Sequence, residues 1–278
     1  MRRIAFTLVV VFLALSAVTA QAQESGAVSP VSVPAAVRSQ ADCTGFIADP
    51  SIPPDLFVLG GADDDSHSVV RQFVEGESIF IPNKGGDIAV GAEYSVVRPA
   101  DELFRTMHYQ RERWEIGKLG KPYEDVGKVR VTHVNPEGAV AKVTFSCGAI
   151  VPGDILVPFQ PRAIPEYTVS KPLDRFRPLD SNKPHGRITA SHNNIGYFGR
   201  ETVVYLNLGD KEGAKPGQRL RIYKVIPPQT TGFLTASQGT PPETVGEAVV
   251  LSVQSKSCVA MVVSSYREIS AGDYVEAE

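Results

Sequence analysis

"VGKVRVTHVNPEGAVAKVTFSCGAIVPGDILV", Val126 to Val157, and "VGEAVVLSVQSKSCVAMVVSSYREISAGDYVE", Val245 to Glu276, are two writings of one pattern. Gly127 aligns with Gly246, Val140 with Val259, Ile150 with Ile269 and Asp154 with Asp273, ungapped, at a constant offset of 119. Upstream, "IAVGAEYSVV" (Ile88 to Val97) aligns with "GAKPGQRLRIY" (Gly213 to Tyr223), and Gly91 meets Gly217 at an offset of 126. The second copy is therefore seven residues shorter in its connecting loop, which is where chains accept length changes. A duplicated fold follows.

Within each copy the alternation is that of half-buried strands. Val129 and Val131 point inward with Lys128 and Arg130 outward, and His133 continues the inward set as a strand-end histidine. Lys142 marks a wet face, leaving Ala139, Ala141 and Val143 inside; the matching strand places Cys258, Ala260 and Val262 inside. Gly153 and Gly272 supply the positive φ of a tight turn, and Asp154 and Asp273 accept local backbone N–H groups to hold it. These four are structural turn residues, since two carboxylates in separate copies are badly placed for joint chemistry. Short glycine-bent strands in units of about 75 to 90 residues predict small closed barrels, which remove exposed sheet edges. The expected fold is all-β: two tandem small SH3-like β-barrels joined by a proline-rich linker, with a short helix in the first.

The opening "MRRIAFTLVVVFLALSAVTAQAQE" reads as a secretory signal peptide over 1–22, with an apolar run too short for a comfortable span and cleavage after Ala22 or Ala20. Residues 23–41, rich in Ser, Ala, Val and Pro, read as a disordered leader. Residues 42–159 form the first barrel with an entry segment, 160–185 the linker with its repeated prolines, and 186–278 the second barrel. "GRITAS" (Gly186 to Ser191) and "ETVVYLNLG" (Glu201 to Gly209) open copy two, with counterparts "DLFVLGG" (Asp55 to Gly61) and "ESIFIPNKGG" (Glu77 to Gly86) in copy one. Losing the signal leaves 26 basic against 31 acidic residues, a net charge of −5. Such a chain offers no basic field for nucleic acid, and no stable transmembrane segment remains.

"VVYLNLGDKEGAKPGQRLRIYK" (Val203 to Lys224), followed by the second copy of the pattern, resembles the C-terminal barrel domain of bacterial flagellar assembly protein T. It is also similar to barrels attached to LysM-type cell-wall proteins of Gram-negative bacteria. The resemblance spans Val203 to Glu278 well and Ile79 to Phe159 more loosely, and rests on turn glycines and strand patterns. It implies an envelope-associated structural or binding module in the periplasm or outside the cell, contacting an envelope protein complex or peptidoglycan.

No HExxH, GxxxxGK[ST], GxSxG or CxxC occurs, so no cofactor or enzymatic constellation is indicated. His185 and His192 are seven apart, which on a strand points them to opposite faces. The loop "GADDDSHS" collects Asp63, Asp64, Asp65 and His67; the bland reading is a solvated turn, and the alternative is a calcium-type binder or hydrolase. In "ADELFRTMHYQRERWEIGKLGKPY" (Ala100 to Tyr123), Leu103, Phe104, Met107, Arg111 and Trp114 recur at helical spacing. Either Phe104, Met107 and Trp114 cover a barrel end, or Tyr109 and Trp114 stack on sugar rings while Arg111 and Arg113 meet carboxylates. Cys43 and Cys147 flank the first barrel and are expected to form a disulfide; Cys258 is expected to stay a buried thiol.

Overall fold

A computed structural model describes residues 31–61, 72–83, 85–169, 171–225 and 241–278. Val31–Glu278 forms one compact unit. Its elements are almost all strands. The first part contains β1 (Ser32–Pro34), α1 (Arg38–Asp42), β2 (Phe46–Ala48), β3 (Gly60–Gly61), β4 (Ser78–Pro82), β5 (Glu93–Pro99), α2 (Glu112–Leu119), β6 (Lys121–Val134), β7 (Gly138–Ser146) and β8 (Ile155–Pro158). After β9 (Glu166–Thr168) come β10 (His185–Ser191), β11 (Tyr197–Phe198), β12 (Val203–Leu206), β13 (Arg219–Lys224), β14 (Glu243–Val253), β15 (Cys258–Ser265), β16 (Ile269–Ser270) and β17 (Tyr274–Ala277).

Repeat 2 closes into a barrel in the order β10-β12-β15-β14-β13-β17. Repeat 1 is a seven-stranded sheet, β3-β4-β7-β6-β5-β8, with β2 paired to one end of the long β6. Backbone bonds around β3 complete its ring: the Val58 N–H donates to Asp154 O at 2.9 Å and the Leu59 N–H to Phe80 O at 2.8 Å. Repeat 2 makes the same closure, with the Ile188 N–H donating to Asp273 O at 2.8 Å. Both barrel interiors are filled by the alternating residues anticipated from the sequence, including Ala139, Ala141 and Val143 in one and Cys258, Ala260 and Val262 in the other.

The glycines of the repeated word have the required conformation, φ 93° at Gly153 and 94° at Gly272. Asp154 and Asp273 accept the Val151 and Ser270 N–H groups, each at 2.8 Å. Gly127 and Gly246 are needed for space: a Cβ at either would lie 2.6 Å from the carbonyl oxygen of Phe145 or Ser264, residues that are themselves 119 apart.

Three expectations are corrected. The leader is not disordered from residue 31 onward: β1 pairs with β9, and α1 follows. Its alanines Ala35, Ala36 and Ala41 are buried against Val249, Leu251, Met261 and Val263, an apolar outer face of repeat 2 that would otherwise meet water. The short helix expected after Pro99 is present as α2, but it is preceded by a 3-10 turn, Asp101–Phe104, and entered through Arg111 at φ 74°, so Leu103 and Met107 lie outside it. The buried apolar side chains of this segment include, among the described residues, Ala100, Leu103, Ile116 and Leu119, whereas Met107 and Trp114 are exposed and cover no barrel end; the side chain of Phe104 lies outside the described residues. His133 is exposed because a bulge between Val131 and His133 turns the alternation outward.

The proline-rich stretch lies on repeat 2. Arg175 O and Asp174 O accept from the Thr244 N–H (2.7 Å) and hydroxyl (2.8 Å), and the Asp180 N–H donates to Glu276 at 2.6 Å. Beneath it Arg221, fully buried, donates to the Thr244 hydroxyl (2.8 Å) and Glu276 (3.3 Å). Fixed proline backbone makes such a long connection inexpensive to immobilise.

Candidate functional site

The junction between the repeats carries most of the uncommon chemistry. α2 buries Glu112, Ile116 and Leu119, one helical stripe, toward repeat 2. The Glu112 carboxylate accepts the His108 and Tyr109 backbone N–H groups, capping the helix entry. Glu115 accepts the Tyr109 hydroxyl at 2.9 Å and Arg187 of β10 at 3.2 Å. Gly120, φ 136°, ends the helix where a Cβ would strike Ala48 O at 2.2 Å.

The four residues singled out as a ligand surface divide. Tyr109 is a brace: its ring lies on Gly272, whose Cβ would approach it to 3.1 Å, with the Arg187 guanidinium 5.5 Å from its centroid. Burial, then the bond to Glu115, pushes its hydroxyl pKa well above the ordinary value. Arg111, Arg113 and Trp114 are exposed on the opposite side of α2. The Trp114 ring, 55 % exposed, carries Lys118 Nζ 3.4 Å above its centroid. An exposed aromatic plate with Lys118 against it, on a braced segment that also exposes Arg111 and Arg113, suits a ligand with a flat or ring-shaped face and negative groups.

The second cluster was not found from the sequence. The Tyr205 hydroxyl, on β12, donates to Thr44 O at 2.8 Å, and His192 Nδ1 lies 3.0 Å from the Tyr205 hydroxyl oxygen. Burial, chiefly, pushes the Tyr205 hydroxyl up and the His192 imidazole down, so both stand neutral at pH 7. Gly45, φ 65°, is required where a Cβ would meet Tyr205 Oη at 2.6 Å. The Gly45 N–H donates to Asp125 (2.8 Å), and Arg162 holds that carboxylate through both terminal nitrogens. Tyr205 lies 161 residues from Thr44 in sequence, so no local pattern announces the pair. Its donors and acceptors satisfy one another, which is the arrangement of a fixed joint rather than of an activated nucleophile.

Cys43 and Cys147 are bonded, with Cα atoms 5.6 Å apart, and the bridge anchors the Thr44–Gly45 segment that Tyr205 grips. Cys258 is free and buried, and burial raises its thiol pKa far above the usual value. His185 Nε2 bonds Asp180 O at 2.8 Å, and the structure does not bring it to His192. The acidic loop Asp63, Asp64, Asp65 and His67 lies outside the described residues. Among the described residues no cluster of three His, Cys, Asp or Glu side chains is placed to hold a metal ion, and no helix is long and apolar enough to cross a membrane. No protein-family model matches the chain, and a search of curated proteins returns no match.

Proposed function

We propose that this is an exported, non-enzymatic cell-envelope protein of a Gram-negative bacterium, a rigid two-barrel binding module that contacts peptidoglycan or an envelope protein complex. The carrying observation is the exposed Trp114 with Lys118 over its ring, on a helix locked between the repeats whose entry also exposes Arg111 and Arg113. The export-like opening, the Cys43–Cys147 bridge and the resemblance to SH3-like envelope barrels support the compartment. Peptidoglycan offers pyranose faces for the indole and peptide carboxylates for the guanidinium groups.

The test is co-sedimentation of the purified mature protein with isolated sacculi. Trp114→Ala is expected to lower retention about tenfold without changing the unfolding midpoint, because the side chain is exposed. Arg111→Glu with Arg113→Glu should lower it similarly, and added salt should do the same. Retention unchanged in both variants rejects the Trp114 surface as the wall contact.

A further inference from the structure

Duplication lets the outer faces of the two repeats be compared position by position. On repeat 2, strand register sets Ala190, Tyr205 and Val259 side by side on β10, β12 and β15. All three are buried under Ile47, Leu103, Ile116 and Leu119. The same registers set Gly60, Phe80 and Val140 side by side on β3, β4 and β7 of repeat 1. There Phe80 is 44 % exposed and its neighbour Leu59 50 % exposed, walling a groove of about 330 Å³ that also includes Glu137.

Val249, Leu251, Met261 and Val263 of repeat 2 are covered by the leader and the linker. At the offset of 119, repeat 1 has Arg130, Thr132, Lys142 and Thr144 instead. Repeat 1 is thus polar where the described residues give it no cover, yet carries Phe80 and Val140 where they also leave it open. An exposed aromatic and an exposed leucine beside a cleft, on a surface otherwise adapted to water, mark a contact face.

The geometry points to a docking groove at Leu59, Phe80 and Val140 for an extended segment of a protein partner that presents an aliphatic side chain two residues before a Lys or Arg. The cover of repeat 2 supplies this chemistry. Its extended strand β2 seats Ile47 on the Tyr205 face, and Asp49, two residues on, pairs with Lys256 at 2.5 Å. Lys256 sits on the β14–β15 hairpin; its equivalent on the β6–β7 hairpin is Glu137, again 119 residues away. The rim charge is reversed between the repeats, so the occupant's charge is reversed with it. This groove is separate from the Trp114 surface and does not rest on it.

The test titrates the isotope-labelled full mature chain with three peptides: Gly-Phe-Ile-Ala-Lys-Pro-Gly, the same peptide with Asp for Lys, and the same with Ser for Ile. The first peptide is expected to shift the amide resonances of Gly60, Phe80 and Val140. The Asp peptide should bind about threefold more weakly and the Ser peptide about tenfold or more. Phe80→Ser, at an exposed site, should keep the fold and lose the shifts, and Glu137→Lys should make the Asp peptide the better ligand. Absent shifts at millimolar peptide, shifts confined to other surfaces, or equal response to the Lys and Asp peptides overturn the proposal. So does a concentration-dependent dimer, seen by light scattering, that protects Phe80, because the occupant is then a second copy of this chain.

Discussion

Asp154 and Asp273 occupy one turn position in two copies, and their charges are answered differently. Arg98 donates from Nε and Nη2 to the two oxygens of Asp154, each at 2.7 Å, and that bond holds the guanidinium pKa above its ordinary value. Lys224, which stands 126 residues after Arg98, reaches Asp273 only at 3.5 Å. Burial therefore wins at Asp273 and raises its pKa, against the pull of the Ser270 N–H and Lys224. Asp154→Asn breaks a two-bond charged pair and is expected to cost about 1.5 to 3 kcal/mol in urea unfolding. Asp273→Asn keeps an acceptor for the Ser270 N–H and removes a carboxylate that burial disfavours, so its cost should stay within about 0.5 kcal/mol. Equal losses at the two sites would show that the turn, not the ion pair, sets the energetics.

At the scale of elements, the linker is held by carboxylates whose pKa values fix an acid limit. Burial opposes ionisation of Glu276, but the Asp180 N–H, Arg177 and Arg221 overcome it and hold the carboxyl below its usual value. Arg267, foremost, and Arg175 do the same for Glu243 against its own burial. A lowered carboxyl pKa adds stability that is complete above the unfolded value of 4.5 and is lost as pH falls through the folded one. Stability should accordingly decline from about pH 5 downward. The decline should flatten in Glu276→Gln, measured as urea midpoints across pH 3 to 7; an unchanged slope would mean that other groups set the acid limit. Asp273 runs in the opposite sense, because its raised pKa makes protonation favour the fold. The strands, the Gly-Asp turns and the barrel interiors were legible in the sequence because period-two alternation and positive-φ glycines act locally. Arg221 and Glu276 were not, for nothing within β13 or β17 says that a distant proline-rich segment will cover them. The same holds for Ile116, which one exposed turn of α2 hides between Trp114 and Lys118, and for alanines of the leader, too small to announce burial by themselves.

For the whole molecule, the two barrels are one mechanical body. Tyr205 of repeat 2 grips Thr44; Lys256 pairs with Asp49; Arg187 pairs with Glu115; and Tyr109 lies on the Gly-Asp turn of the second copy. Ile47, Leu103, Ile116 and Leu119 share one buried cluster with Ala190, Tyr205 and Val259, so separating the repeats exposes several large apolar side chains at once. A joint of that kind couples two small cores that would each be marginal alone. The Cys43–Cys147 bridge closes a loop of 104 residues in sequence and pins the segment under Tyr205, so its effect reaches both repeats. Thermal unfolding of the oxidised chain should therefore show one transition, with near-UV ellipticity, to which the buried junction residue Tyr205 contributes, coincident with far-UV ellipticity. Cys43→Ser with Cys147→Ser should lower stability by about 2 to 4 kcal/mol while keeping that single transition, because loop entropy is lost from the unfolded state. Ile116→Asp, which buries a charge in the shared cluster, should instead split the curve into two, repeat 2 retaining its closed barrel at the higher temperature. Two transitions in the unmodified chain would show that the repeats fold independently and that the junction is a contact rather than a common core.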